Sequence, residues 1–185
     1  MLRKIKFKEF KSLYRKHIVF DFPATERPNL QGFRKRILEN KEEVYIWREE
    51  GQEKAYFISY PLEEYVLISF LAVYKEQRGK GTGTKLLREI AQKYQNKKGI
   101  LLEVENPEFA KTEKEKTIQE KRIQFYEKSN YKIVENLKVK LFGVNFKIMI
   151  APSKEEIDTK EIKDKMQQFY ATIIDKKRRK YITFE

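Results

Sequence analysis

The sequence predicts an α+β fold: a mixed, mostly antiparallel sheet with one parallel β-α-β crossover and an extra C-terminal helix. Short apolar runs separated by turn signals fill residues 44–73, which is typical of antiparallel strands. A single strand, helix and strand follow each other between Phe70 and Glu105, which predicts one right-handed crossover. A doubly wound fold would need repeated crossovers. Beyond residue 153, apolar residues recur at helical spacing.

The first half of the chain contains most of the predicted strands, and one hairpin is marked by Gly51, which can take a positive φ. The predicted elements are a strand at 2–7, a helix at 8–16, an extended segment at 17–23, a helix at 29–39, and strands at 44–47, 55–60 and 65–73.

The second half begins with an amphipathic helix, in which Leu86, Leu87 and Ile90 form an apolar stripe. The further elements are a strand at 100–105, a polar stretch at 106–120, a helix ending near Asn130, strands at 131–134 and 146–151, a helix with apolar residues from Ile162 to Ile173, and an edge strand at 181–184. A capping box at residues 153–156 predicts the start of that last helix.

Composition limits the class of protein. With 185 residues and 40% apolar content, the chain can bury one good core, so we expect one domain with an elaboration. The chain has no cysteine and we expect no secretory leader, which indicates the reducing cytoplasm. The longest mainly apolar run, Tyr65 to Val73, is far shorter than the ~20 residues that cross a bilayer, so no membrane partner is expected.

The net charge of +13 is concentrated at residues 1–16 and 176–180. Such an excess is compatible with nucleic-acid binding through phosphate neutralisation. However, charged residues of both signs make up 37% of the chain, which favours an ordinary solvated surface over a nucleic-acid partner.

A glycine-rich turn follows the apolar strand that ends at Val73. We call residues 78–84, Arg-Gly-Lys-Gly-Thr-Gly-Thr, the cradle. Glycines before a helix start allow several backbone N–H groups to point at one anion, with the positive end of the helix dipole facing it. Arg78 and Lys80 add cationic donors, which favours a pyrophosphate over a single carboxylate.

The spacing of the glycines distinguishes between the classes of phosphate ligand that such a turn could bind. A nucleotide P-loop needs Lys followed by Ser or Thr after its final Gly, but Gly79-Lys80 is followed by Gly81. The dinucleotide fingerprint needs Gly where Thr84 stands, although Glu103 lies at the expected distance for its acidic residue. A dinucleotide therefore remains as a weaker alternative.

The cradle resembles motif A of the GNAT superfamily of acetyl-CoA-dependent N-acyltransferases, which reads Arg or Gln, two residues, Gly, one residue, then Gly or Ala. Arg78, Gly81 and Gly83 fit this pattern. The segment from Arg122 to Tyr131 resembles motif B, with Asn130 in place of the usual Gly; Asn also adopts the left-handed conformation that ends a helix.

The resemblance implies acetyl-CoA as cosubstrate, with its pyrophosphate in the cradle and its pantetheine arm along the preceding strand. The residues implied to bind it are Leu71, Ala72, Val73, Arg78, Gly79, Lys80, Gly81, Thr82, Gly83 and Thr84. A backbone N–H near Val73 would polarise the thioester carbonyl.

Amine acetylation needs a base, because an amine with a pKa near 10.4 is neutral only about once in 10³ to 10⁴ at pH 7. Glu103 and Glu105 share one face of their strand, where mutual repulsion would raise the proton affinity of one of them. We expect either to serve as the general base, with a solvent-facing or salt-bridged role as the alternative. Tyr126, in motif B, is the candidate general acid for the departing thiolate, and simple packing is its alternative. No metal-ligand spacing occurs.

These features predict an acyltransferase domain at residues 1–152, with a variable acceptor-side segment at 1–40, and a helical extension at 153–185 that packs on the same domain rather than forming a homodimer seam. The acceptor is expected to be a small cationic amine, which Asp21 or Glu26 could hold, with a structural salt bridge to Arg27 or another neighbour as the alternative role of these carboxylates. The alternatives are a dinucleotide- or S-adenosylmethionine-dependent enzyme and a basic nucleic-acid-binding protein.

Overall fold

A computed structural model describes residues 1–153 and 157–185 of the chain. The strands in this part are β1 Leu2–Ile5, β2 Glu43–Glu49, β3 Gln52–Leu62, β4 Tyr65–Val73, β5 Gly99–Glu105, β6 Lys132–Leu141, β7 Val144–Pro152 and β8 Ile182–Phe184. The α-helices are α1 Phe7–Leu13, α2 Val19–Asp21, α3 Leu30–Leu38, α4 Thr82–Lys93, α5 Glu113–Glu127 and α6 Thr159–Ile173. A π-helical segment, Tyr14–Ile18, joins α1 to α2.

The first compact unit comprises Met1–Pro61 and Val66–Lys93. Its strands lie in the order β1-β2-β3-β4, and the β1–β2 and β2–β3 pairs are antiparallel. The turn between β2 and β3 has φ of 52° at Glu50 and 74° at Gly51, which is the double positive-φ geometry of a tight hairpin. The predicted hairpin is therefore confirmed.

Aromatic packing dominates the core of this unit. Phe10 of α1 and Phe33 of α3 are fully buried, with ring centroids 5.2 Å apart, and they belong to the same cluster as Tyr56 and Ile58 of β3. The predicted stripe of α4 is also buried, as the full burial of Leu86 illustrates. This packing fixes the helix whose N-terminus completes the cradle.

The second unit comprises Leu62–Tyr65 and Tyr94–Glu185, and its strands lie in the order β5-β7-β6-β8. The three neighbouring pairs are antiparallel. Gly99 begins β5 as predicted, and a Cβ added there would lie 2.6 Å from Cδ1 of Ile150, so a larger residue would push against β7.

The C-terminal helix α6 packs within the second unit, as its spacing predicts. The side chains that it buries are those of Ile162, Met166, Phe169 and Tyr170. It begins at Thr159, where the side chain of Asp158 accepts a hydrogen bond of 2.9 Å from the backbone N–H of Glu161. The capping box predicted at 153–156 falls largely on residues outside the described part of the chain.

The extended conformation predicted for residues 17–23 is wrong, because the chain is helical as far as Asp21. β-branched and aromatic residues such as Ile18 and Val19 favour strands by propensity. Here Ile18 is fully buried in the aromatic core, and this tertiary packing outweighs the local preference. Phe22, with φ of −131°, is the first extended residue.

The polar stretch predicted at 106–120 is also largely helical, because α5 begins at Glu113. Thr112 caps the helix by accepting a hydrogen bond from the N–H of Glu115, and the Glu115 carboxylate accepts one from the N–H of Lys111. The helix buries only Ile123, so it lacks the apolar stripe from which helices are predicted. Its end is as predicted, with Asn130 at φ 65°.

No helix in the described residues is both long and apolar enough to cross a membrane.

Candidate active site

The cradle is formed by glycines in a conformation that other residues rarely adopt. Gly79 and Gly81 have φ of 74° and 73°, and an added Cβ at either position would meet no atom within 4 Å. The glycines are therefore needed for their backbone angles rather than to avoid a protein clash. The space beside them is open on the protein side, which leaves room for a ligand.

The cradle ends at the first turn of α4, which contains Thr82, Gly83 and Thr84. Thr82 is buried, and its hydroxyl donates a 2.8 Å hydrogen bond to the carbonyl of Gln77. This bond closes the loop on itself and fixes the start of the helix. The free N–H groups and the positive dipole end of a helix start form a recognised anion site.

The two cationic side chains of the cradle both have protein partners. Arg78 donates from Nε to the carbonyl of Val73 at 2.9 Å and from Nη2 to Oδ1 of Asp21 at 2.7 Å. Lys80 donates from Nζ to the carbonyl of Glu76 at 2.8 Å. The Arg78 side chain is nonetheless 55% exposed, so it retains donors that can face an anion.

The end of β4 leads directly into the cradle. Leu71 and Val73 are half-buried and Ala72 is buried. Because the Arg78 side chain binds the carbonyl of Val73, the strand end and the cradle are held together within the first unit.

Asp21, which was expected either to hold a cationic acceptor or to form a structural salt bridge, binds two residues of the first unit. Its Oδ1 accepts from Arg78, and its Oδ2 accepts a 2.9 Å hydrogen bond from the hydroxyl of Tyr56. The salt-bridged role is therefore the one that the structure shows, although each carboxylate oxygen retains capacity for a further hydrogen bond. The single histidine, His17, packs against Tyr74 with ring centroids 4.3 Å apart and the ring planes tilted by 37°, in keeping with a packing role.

Glu103 lies on β5 in the second unit, and its carboxylate accepts a hydrogen bond from the hydroxyl of Tyr170 on α6. Burial raises the pKa of Glu103 to about 7, while the Tyr170 hydrogen bond acts in the opposite direction. The predicted cause of a raised pKa was repulsion from Glu105. Burial is the actual cause, because Glu105 is not among the groups that shift Glu103.

Glu105 lies two residues further along β5 and forms an ion pair with Arg122 of α5. Tyr126 lies one helical turn beyond Arg122 and is half-buried. Burial raises the pKa of Tyr126 to about 12; the charge of Arg122 opposes this rise and that of Glu105 adds to it. At neutral pH the phenol therefore holds its proton firmly. In the described part of the chain, no residue forms a hydrogen bond with its hydroxyl.

The structure therefore contains two groups of predicted site residues. The first unit brings together the end of β4 and the whole cradle. The second unit contains Glu103, Glu105 and Tyr126, and adds Arg122 and Tyr170. In the described residues, no group of three or more histidine, aspartate or glutamate side chains is placed to hold a metal ion.

Three residues that contact the candidate site residues were not predicted: Tyr56, Arg122 and Tyr170. Tyr56 and Tyr170 form hydrogen bonds with residues 35 and 67 positions away, and no local pattern reveals such contacts. Arg122 is quoted in motif B, but its partner Glu105 could not be identified from the sequence.

Comparison with known proteins identifies the family. The model of the acetyltransferase (GNAT) domain matches residues 40–133, a span that includes the cradle, β5 and all of α5. The chain belongs to the GNAT acetyltransferase family. The two motifs that suggested this resemblance both lie wholly inside the matched span, whereas α6 lies outside it.

One curated relative is "Putative acetyltransferase YjbC" of Bacillus subtilis (strain 168), which is 27% identical over 116 residues. The alignment covers 63% of this chain and 55% of that relative, so the chain spans little more than half of the relative's length.

Solved GNAT structures share the fold. A GNAT-family protein from Bacteroides thetaiotaomicron matches with a TM-score of 0.77 and 16% identity, over 94% of this chain and 97% of its own. A GNAT acetyltransferase from Elizabethkingia anophelis, determined with acetyl-CoA bound, matches with a TM-score of 0.56 and 13% identity, over 82% and 97% of the two chains. The likeness confirms the predicted α+β, GNAT-like fold class.

Proposed function

We propose that the protein is an N-acetyltransferase that moves an acetyl group from acetyl-CoA to a primary amine by direct transfer in a ternary complex. The observation that carries this proposal is the cradle, with two glycines at positive φ directly before the N-terminus of α4. The transferase domain would comprise residues 1–152, with residues 153–185 as an extension packed on it, and the enzyme would act in the cytoplasm.

The residues of the cradle fit the diphosphate of coenzyme A. The space beside Gly79 and Gly81 is open, the helix N-terminus offers N–H donors, and Arg78 remains half-exposed. When bound, acetyl-CoA would supply a thioester whose acetyl carbon accepts the amine nitrogen while the carbon–sulfur bond breaks. The backbone of Leu71, Ala72 and Val73 would bind the pantetheine arm.

Glu103 is the better of the two candidate bases. With a pKa of about 7, it is poised to take a proton from the ammonium form of the acceptor at neutral pH. Glu105 is held by Arg122, and an arginine partner stabilises the ionised form and weakens a base. We therefore assign proton removal to the Glu103 carboxylate and an electrostatic role to Glu105.

Tyr126 is proposed as the general acid that delivers its hydroxyl proton to the departing sulfur. Its raised pKa keeps the phenol protonated at neutral pH, so the proton is present when the thiolate departs. The hydroxyl also forms no hydrogen bond with the described residues, so it is available to a substrate atom.

The acceptor is proposed to be a small cationic amine. Two half-buried carboxylates on β5 would attract a cation, in contrast to the basic exterior of the chain. A panel of polyamines, amino acids and aminoglycosides, compared with peptides that carry a free amino group, would test this class.

The first experiment measures CoA binding by isothermal titration calorimetry, followed by thiol release in the presence of the amine panel. The chain contains no cysteine, so a thiol reagent reads only the coenzyme A that is set free. We expect micromolar binding and amine-dependent thiol release. The proposal fails if CoA does not bind, or if S-adenosylmethionine, NAD or RNA binds in its place.

Two glycine substitutions test the cradle with a matched control. Gly81→Ala and Gly51→Ala place the same side chain at φ of 73° and 74°, both in open space and both in the first unit. Each should lower stability by about 1 kcal/mol through backbone strain. We expect only Gly81→Ala to weaken CoA binding, by at least tenfold. Equal effects on CoA binding would contradict the role of the cradle.

A further inference from the structure

The guanidinium of Arg78 is held by two different elements of the first unit. Nε donates to the carbonyl of Val73 at the end of β4, and Nη2 donates to the carboxylate of Asp21 at the end of α2. Asp21 has only 15% of its side chain exposed, whereas Arg78 has 55%. The Asp21 carboxylate is therefore sheltered from solvent, whereas the Arg78 guanidinium that it binds faces solvent.

The Asp21 carboxylate is itself held by a buried tyrosine. Its second oxygen accepts a hydrogen bond from the hydroxyl of Tyr56, a fully buried residue of β3. Burial raises the pKa of Tyr56, and the charge of Asp21 raises it further, so this phenol remains a donor at every physiological pH. The Tyr56 ring packs near Tyr74, which in turn packs against His17.

A π-helical segment precedes Asp21. In this segment the N–H of Val19 bonds to the carbonyl of Tyr14, five residues earlier, whereas an α-helix bonds residues four apart. Such segments are rare and frequently occur at functional sites. Asp21, at the end of α2, follows this segment and contacts Arg78 of the cradle.

We infer that Asp21, supported by Tyr56, is a positioning residue for Arg78, and that the N-terminal helices thereby contribute to acetyl-CoA binding. This inference rests on the proposed function of the cradle. An arginine loses much side-chain freedom when it binds an anion, and a guanidinium that is already held avoids that loss. The negative charge of Asp21 opposes an incoming phosphate, and this repulsion acts against the gain from positioning.

These two effects predict opposite signs, so one variant distinguishes them. Asp21→Asn removes the charged partner of Arg78 and keeps the shape of the side chain. If positioning dominates, the Kd for CoA should rise about five- to tenfold, and the KM for acetyl-CoA should follow while kcat stays within about twofold. If repulsion dominates, CoA should bind more tightly, which would overturn the inference.

A double-mutant cycle tests whether Asp21 acts through Arg78. Arg78→Met alone should weaken CoA binding, and adding Asp21→Asn to it should produce no further loss. Additive losses of CoA affinity would show that Asp21 does not act through Arg78, which would overturn the inference. Tyr56→Phe, which keeps the Asp21 charge but removes its support, should raise the Kd about two- to threefold and provides the test if Asp21→Asn does not fold.

Glu39→Gln is the matched control, because it removes one carboxylate from an ion pair of the same unit, with Lys41, and leaves the cradle untouched. It should leave CoA affinity unchanged. CoA itself is the probe throughout. Failure of the wild-type protein to bind CoA would refute the proposed function, whereas wild-type binding that Asp21→Asn leaves unaltered would refute only the present inference.

Discussion

The pH dependence of catalysis is the most informative consequence of the Glu103 environment. With a pKa of about 7, Glu103 is ionised in about one molecule in ten at pH 6 and in about nine in ten at pH 8. If it is the base, kcat/KM should rise about tenfold per pH unit below pH 7 and then level off. With one acceptor amine used throughout, the ionisation of the substrate is the same for every variant.

The pH at which kcat/KM levels off is the inflection of this profile. Removal of the Tyr170 hydroxyl should move the inflection to higher pH. The hydrogen bond from Tyr170 favours the ionised carboxylate, so Tyr170→Phe should raise the pKa of Glu103 further. A hydrogen bond to a charged group contributes about 1.5 kcal/mol, which corresponds to a shift of about one pH unit. Activity should fall several-fold near pH 6.5 and change little above pH 9.

The assay is kcat/KM from thiol release between pH 5.5 and 9.5. Tyr65→Phe is the control, since it also removes a hydrogen bond from a tyrosine to a glutamate, in this case Glu161 of α6. It should leave the inflection where it is in the wild-type protein. An inflection that persists in Glu103→Gln, or that does not move in Tyr170→Phe, would refute the assignment of Glu103 as the base.

Two further substitutions separate catalysis from stability. Tyr126→Phe should lower kcat by about 10²-fold and spare CoA affinity; unchanged turnover would assign the ring to packing alone. Arg36→Met should reduce the free energy of unfolding by about 3 to 5 kcal/mol in urea titrations, because it strands the carboxylate of Glu42, which is 1% exposed and 2.9 Å from Arg36. Lys41→Met, which breaks the exposed pair with Glu39, should not measurably alter stability, and equal losses would contradict this reasoning.

The cradle could be predicted because its information is local. The residue type of Gly79 and Gly81 indicates that their backbone takes positive φ, and the apolar stripe of α4 predicts the helix that follows. The Arg78–Asp21 pair joins residues 57 positions apart, so only the folded chain reveals it. For the same reason, Glu103 could be proposed as a base from its strand, but its partner Tyr170 could not.

Helix α5 shows a different limit. Its sequence is rich in good helix formers, and Thr112 caps the helix by accepting a hydrogen bond from the N–H of Glu115, so the signal was present in propensity and capping. The first part of the helix, as far as residue 120, was missed because periodicity depends on a buried face, and Ile123 is the only buried residue of α5. Residues 17–21 were misassigned for the opposite reason, since burial of Ile18 outweighs strand propensity there.

Strand β8 is an edge strand, and edge strands affect whether molecules of a protein associate in solution. A neighbouring polypeptide can pair with an exposed edge strand, which is a common start of aggregation. β8 offers only three residues for such pairing, opposite Val139–Leu141, and the exposed basic run Lys176–Lys180 immediately precedes it. A second molecule approaching this margin would bring the same run of positive charge. Mutual repulsion should therefore keep the molecules apart in dilute buffer, and concentrated salt should weaken that protection.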